Sequence, residues 1–221
     1  MEILGRRVRR PVRLGSLRRT APISTNWGYD RGSPVDRYYI EAFLEEHRMD
    51  VRGACLEVAD DAYTRRFDTG VTSTDVLDVE GSNPHATIVA DLTDARHVES
   101  GRFDCFILTQ TLQFVYDVEP AVREVYRLLR PQGVVLATLP TLSRLDPSGG
   151  TDFWRFTAAS SQRLFGAEFG AGNVTVTAKG NVLAAIAFLA GLAAEELSQR
   201  ELDVEDELFP LLITVRAVKR P

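Results

Sequence analysis

Five short apolar runs recur along the chain, with segments of helical periodicity between or around them. They are Ala54-Cys55-Leu56-Glu57-Val58, Val71-Thr72-Ser73-Thr74-Asp75, Ala86-Thr87-Ile88-Val89-Ala90-Asp91, Phe103-Asp104-Cys105-Phe106-Ile107-Leu108 and Val134-Val135-Leu136-Ala137-Thr138-Leu139. The fifth has the unbroken apolar character of a parallel strand covered on both faces. Tyr39, Phe43 and Leu44 give an apolar face to a helix that starts after Pro34 and runs to about His47. A very short helix is expected around Tyr63 to Phe67. Val122, Val125, Tyr126 and Leu129 recur at helical spacing in a segment opened by Pro120 and closed by Pro131-Gln132-Gly133. Strands alternating with helices predict an α/β fold with one doubly wound, parallel-type sheet.

Towards the C-terminus the pattern predicts a helix through Leu164, an alternating strand at Val174-Thr175-Val176, an apolar helix, an acidic loop from Glu201 to Glu207 and a last strand at Leu211 to Val218. The apolar stretch from Val182 to Ala194 falls short of the ~20 residues needed to span a bilayer and runs into Glu195-Glu196, so it reads as a buried helix and no transmembrane segment is expected.

Composition changes this picture in one place. The chain of 221 residues suits one well-buried core, and its net charge of −5 hides a basic arm on an acidic body. Arg6, Arg7, Arg9, Arg10, Arg13, Arg18 and Arg19 crowd a segment whose only acid is Glu2. The expected organisation is a basic arm over residues 1–25 and a single domain over 26–221. The arm lacks the apolar core of a secretory signal, which gives a cytoplasmic expectation. Cys55 and Cys105 fall in central strands and read as small buried hydrophobes. His47, His85 and His97 have no ligand spacing, so no metal site is expected.

Candidate chemistry sits at the strand ends, because ligands of such sheets bind outside the carboxyl ends of the strands. Glu57, Asp75 and Asp91 stand at or next to three of those ends. A dinucleotide site would place Gly-x-Gly-x-x-Gly after the first strand, where this chain has Ala59-Asp60-Asp61-Ala62. Two carboxylates there repel a pyrophosphate. A ligand with a ribose and a positive centre, and no phosphate, matches better.

The order of these motifs resembles that of class I S-adenosylmethionine-dependent methyltransferases, type 11-like, from about Asn26 to the end. The resemblance rests on Leu56-Glu57-Val58-Ala59-Asp60, Asp75, Ala90-Asp91-Leu92, Phe103 to Gln110, and the helix–proline–glycine–strand segment Leu128 to Val135. Arg31 to Ile40 and Trp154-Arg155-Phe156-Thr157 are similar to a bacterial group associated with glycan or natural-product pathways. The resemblance implies a Rossmann-like seven-stranded sheet with an N-terminal helical lid. S-adenosyl-L-methionine is then the cofactor and S-adenosyl-L-homocysteine the product. It implies ribose binding by Asp75 with Val76 beside it, adenine binding by Asp91 and Leu92, and a methionine-side turn at Glu57, Ala59 and Asp60. Thr109 and Gln110 are expected near the methyl group. The glycines usual in the first motif are replaced here by Ala59 and by Asp61-Ala62.

On the acceptor side the candidates are Gln113, Tyr116, Trp154, Arg155 and Tyr38, with Asp117 as the candidate general base and, equally, a helix N-cap. Asp152 is a further acidic candidate. The expected function is O-methylation of a sugar, glycan or small natural-product hydroxyl by a monomer or homodimer. Two alternatives stand beside it: a non-catalytic binding or scaffold protein, drawing on the missing glycines, and a nucleic-acid methyltransferase, drawing on the arginine arm. The acidic body and the lack of a Pro-Pro-Tyr or Pro-Pro-Trp signature disfavour the second.

Overall fold

In the computed structural model, strand residues alternate between two buried layers. The structure describes Gly15, residues 18–147 and residues 151–221. Arg6, Arg7, Arg9, Arg10 and Arg13 of the basic arm lie outside the described residues. Strands β1 (Gly53–Val58), β4 (Phe103–Thr109) and β5 (Leu129–Pro140) are the centre of the sheet. Leu56, Phe106, Leu108, Val135 and Ala137 point to one face. Cys55, Cys105, Ile107, Val134 and Leu136 point to the other. This period of two on strands with no polar face is what a sheet covered on both sides requires. Both cysteines are buried and free, as small apolar residues.

The first face is covered by α3 (Val118–Leu128) and α4 (Ala158–Phe169), through Val122, Val125, Phe165 and Phe169. The second is covered by α1 (Val35–Glu46) and α5 (Val182–Ala190), through Tyr39, Phe43, Ala184 and Phe188. Helix ends follow local chemistry. Thr157 accepts from the Ser160 amide to cap α4, and Asn181 Oδ1 accepts from the amides of Leu183 and Ala184 to cap α5. The α5 helix ends at Gly191, whose φ of 74° is the left-handed cap that glycine adopts without strain.

The remaining elements are α2 (Ala62–Phe67), β2 (Val71–Asp78), β3 (Ile88–Val89), β6 (Val174–Lys179), α6 (Gln199–Leu202) and β7 (Leu212–Val218). The seven strands run in the order β3-β2-β1-β4-β5-β7-β6. All neighbours are parallel except those of β7, which lies antiparallel to both β5 and β6. The chain builds outward from β1 through β2 to β3, then crosses back to β4 on the other side of β1. The switch point between β1 and β4 is where such a sheet opens a crevice.

Three expectations are corrected. Strand β2 does not stop at Asp75; it continues three residues further to Asp78. The third run keeps only two ladder residues, Ile88 and Val89, because its flanks are turns. Helix α5 is buried along one face only: Val182, Leu183, Ile186 and Leu189 are exposed. Packing also begins before residue 26, since the Ile23 and Ser24 amides both donate to Ala190 O. Among the described residues no helix is long and apolar enough to cross a membrane.

Candidate active site

At the switch point, the residues that leave β1 and β4 both have left-handed backbones: Ala59 at φ 71° and Gln110 at φ 47°. A non-glycine residue there costs about 1–2 kcal/mol, and such residues gather where a ligand needs the turn. Ala59 stands where glycine was expected and adopts glycine's conformation. The substitution therefore keeps the turn and adds one exposed methyl group. The turn is held from both sides, by Ala59 N to Leu77 O at 3.0 Å and by Asn83 Nδ2 to Ala59 O at 2.7 Å.

Glu57 is buried with both oxygens bonded: Oε1 accepts from the Tyr63 amide at 3.1 Å and Oε2 from the Thr64 amide at 2.7 Å. It anchors the start of α2 beneath the turn. Burial pushes its carboxyl up to about 7, while the two amides oppose that rise. Asp60 is exposed and accepts from the Ala62 amide.

The carboxylate at the carboxyl end of β2 is Asp78, which sequence reasoning missed. Asp75 lies mid-strand opposite Leu56. Its two oxygens are taken by Thr87 Oγ1 and by Arg102. Val76 is a buried core residue paired with Glu57. Neither residue reaches the strand end, so both assignments are withdrawn. The missed signal was in the chain: Val76, Leu77 and Val79 continue the apolar run past Asp75. Asp78 accepts from the Glu80 amide and, at 2.6 Å, from Asn83 Nδ2. Asn83 thereby ties Asp78 to the Ala59 turn. After β3, the exposed Asp91 carboxylate accepts from the amide and the hydroxyl of Thr93. Leu92 packs into the core instead of lining an open face.

A carboxylate offers about four acceptor positions. The local bonds of Asp60, Asp78 and Asp91 use only part of that capacity, and these acids line the ends of three consecutive strands. The set fits a ligand that brings hydroxyl and amino donors and a positive charge, and it disfavours phosphate.

Across the switch point lies a cavity of about 200 Å³ whose wall includes Gln110 and Gln113. Its roof is the segment before α1. Trp27, at φ 53°, donates from Nε1 to Ser143 Oγ, and the Arg144 guanidinium stacks 3.3 Å from the Trp27 ring centre. Gly28 lies against Leu192 O so closely that a Cβ would come within 2.6 Å. Arg31 pairs with Glu196, and the Ala194 amide donates to Ser33 O. These bonds dock the predicted N-terminal lid onto the turn after α5. Asp36 and Arg37 then enter the cavity wall from the first turn of α1. Arg37 donates to the hydroxyls of Tyr29 and Tyr63.

Of the acceptor-side candidates, Gln113, Asp152 and Arg155 line this cavity. Arg155 is closed off by its pair with Asp152. Trp154 turns its indole N–H to the carbonyls of Val115 and Tyr116 and stacks against Tyr116, which is itself 64 % exposed. Tyr38 bonds to Asp203. Asp117 is exposed at the residue before α3, where its side chain makes no cap. None of these four lines the cavity. Thr109 closes β4 opposite Thr138.

Residues 44–137 match the family described as a methyltransferase domain. No curated protein matches the chain by sequence. Among solved structures, the chain is similar to a SAM-dependent methyltransferase from Archaeoglobus fulgidus at 11% identity and a TM-score of 0.56, over 83% of this chain and 94% of that one. It is similar to a putative sarcosine dimethylglycine methyltransferase from Galdieria sulphuraria at 15% identity and 0.55, over 85% and 90%. It also resembles phosphoethanolamine N-methyltransferase 2 of Haemonchus contortus in complex with S-adenosyl-L-methionine, at 14% identity and 0.54, over 83% of this chain and 53% of that one. At these identities the likeness establishes the fold.

Proposed function

We propose that this protein, an S-adenosylmethionine-dependent methyltransferase, acts on a hydroxyl of a small polar acceptor such as a sugar, a glycan end or a natural product. The carrying observation is the cavity that shares Gln110 with the switch-point crevice. A methyl donor lying over β1 and β2 would meet an acceptor in that cavity at the end of β4.

When bound, S-adenosylmethionine supplies an electrophilic methyl group on a positive sulfur. The chain's part is to hold two partners in line and keep water out. Asp78 would accept from the ribose hydroxyls and Asp91 from the adenine amino group, and the Ala59-Asp60 turn would offer the methionine end a carboxylate that suits the sulfonium charge. Gln110, held in its left-handed turn by Gln110 N to Thr138 O at 2.9 Å, borders both halves. The N-terminal lid excludes solvent from the acceptor side.

Titration calorimetry with S-adenosylmethionine and S-adenosylhomocysteine tests this reading. Both are expected to bind, and Asp78→Ala is expected to weaken each by about 2 kcal/mol through lost charge-assisted hydrogen bonds. Asp75→Ala, which breaks only the Arg102 pair and the Thr87 bond, should leave the affinity unchanged. Absence of heat at millimolar cofactor would favour the non-catalytic alternative. Loss of affinity in Asp75→Ala alone would return the ribose role to Asp75.

A further inference from the structure

The exposed apolar residues of α5 lie on one stripe. Val182, Ile186 and Leu189 follow one another at helical spacing with Leu183 beside them, and all four are 40% to 51% exposed. The loop after α6 brings more exposed apolar residues to the N-terminal end of the helix. It is fixed there because Asn181, the cap of α5, donates from Nδ2 to Glu201 O and Val204 O, and the Asp206 amide donates to Gly180 O. The loop adds Val204, Phe209 and Leu208, the last 84% exposed. Single apolar residues on a surface need no explanation, whereas a contiguous set marks a place of interaction.

The two ends of the stripe carry opposite charge. At the N-terminal end, α6 and the loop after it hold Glu201, Asp203, Glu205, Asp206 and Glu207. The nearby bases are Arg200 and Lys179, and Lys179 is paired with Glu205. At the C-terminal end the Ile23 and Ser24 amides donate to Ala190 O, and exposed Arg18 and Arg19 come shortly before them in the chain. The acids at that end are already engaged: Asp30 by Ser24, Glu195 by the Ser33 amide and Glu196 by Arg31.

This arrangement selects among occupants. An anionic membrane would attract the basic end and accept the apolar stripe, but it would repel the acidic loop that shares the surface. An apolar peptide would leave both charged ends unmatched. A second copy turned about a twofold axis through Ile186 satisfies all three parts. Such an axis lays the two α5 helices antiparallel and sets the basic end of each copy against the acidic loop of the other.

We propose that the exposed face of α5 and the loop after α6 form a self-association surface on which two copies of this chain pair about a twofold axis. The apolar stripe supplies the attraction, and the charged ends fix the register. A helix of nine residues is only about 14 Å long. The contact is therefore at the small end of dimer interfaces, and a dissociation constant in the micromolar range is expected.

Sedimentation equilibrium of the full chain from about 1 to 200 µM tests the pairing, and the mass is expected to move from monomer to dimer across that range. Ile186→Glu sets two carboxylates face to face on the axis and should weaken the dimer about 100-fold or more. Because Ile186 is exposed, its near-UV circular dichroism should match that of the wild-type chain. A second test exchanges the charges. Arg18→Glu with Arg19→Glu in one chain, and Asp206→Lys with Glu207→Lys in another, should each weaken self-association about tenfold at low salt. Mixing the two variants should restore the dimer, since each reversed end then meets its complement. A chain that stays monomeric throughout the range would overturn the proposal, as would Ile186→Glu pairing as tightly as wild type or a mixture that does no better than its parts. Flotation of a monomeric chain with phosphatidylglycerol vesicles, lost in Ile186→Glu, would assign the face to a membrane instead.

Discussion

The two halves of the site are built in opposite ways. The proposed cofactor half, residues 57–91, is contiguous in sequence and closed by its own bonds: Glu57 to the start of α2, and Asn83 to both Ala59 and Asp78. The proposed acceptor half draws on residues 27–37, 110–114, 140–146, 152–155, 188 and 211–212. The first half is a rigid turn that needs little from elsewhere. The second exists only when the N-terminal segment is docked on α5 and the loop after β5. A fold can thus keep one cofactor seat and change acceptors by altering the lid and that loop.

The comparison breaks most visibly at Gly28. Its φ of 92° and the 2.6 Å approach of a would-be Cβ to Leu192 O make Gly28→Ala costly on two counts, left-handed strain and overpacking. Together they amount to about 4 kcal/mol, and the cheapest relief is for the lid to lift off α5. Acceptor binding should be lost while S-adenosylhomocysteine affinity is kept. Parallel loss of both in calorimetry would mean that the halves are not independent.

A second contrast lies in pH. Burial holds the Glu57 carboxyl up at about 7, against 4.5 for an ordinary glutamate. The folded chain keeps a proton that the unfolded chain has released between those values, so this group makes stability fall as pH rises across the window. The expected fall is about 3 kcal/mol at ~1.4 kcal/mol per unit, levelling off above the folded value. Glu57→Gln cannot ionise and should flatten it. Urea unfolding at the two ends of the window measures the difference, and equal slopes in both proteins would remove Glu57 as the source.

The smallest effect sharpens the picture of the β1 turn. Ala59→Gly relieves the left-handed strain but gives up glycine's chain entropy, for a net gain of about 0.5–1 kcal/mol. A small rise in the denaturation midpoint with cofactor affinity retained is expected. A drop would show that the Ala59 methyl group packs in the folded turn.

Much of the fold was legible because its central strands are apolar on both faces and bounded by turns. Leu56, Phe106 and Leu136 could hardly lie elsewhere than inside a covered sheet. The β2 end was misjudged because an acidic residue inside a strand looks like a strand end when its partner is unknown. Asp75 is accommodated mid-strand by Arg102, 27 residues away, a pairing that periodicity does not carry. The same blindness made α5 appear buried all round, since composition cannot tell a one-sided apolar helix from an enclosed one.

Sequence alone determined the alternation of strands and helices, the acidic turn after β1 and hence a cofactor without phosphates, because those depend on neighbours a few residues apart. The tertiary structure decided that Asp78 and not Asp75 ends β2. It also brought Asp36, Gln113 and Arg144 around one cavity. Those three come from an N-terminal helix, a turn after β4 and a loop after β5. Only the crossing at the switch point and the docking of the lid bring them together, and no local pattern encodes a contact closed over a hundred residues of chain.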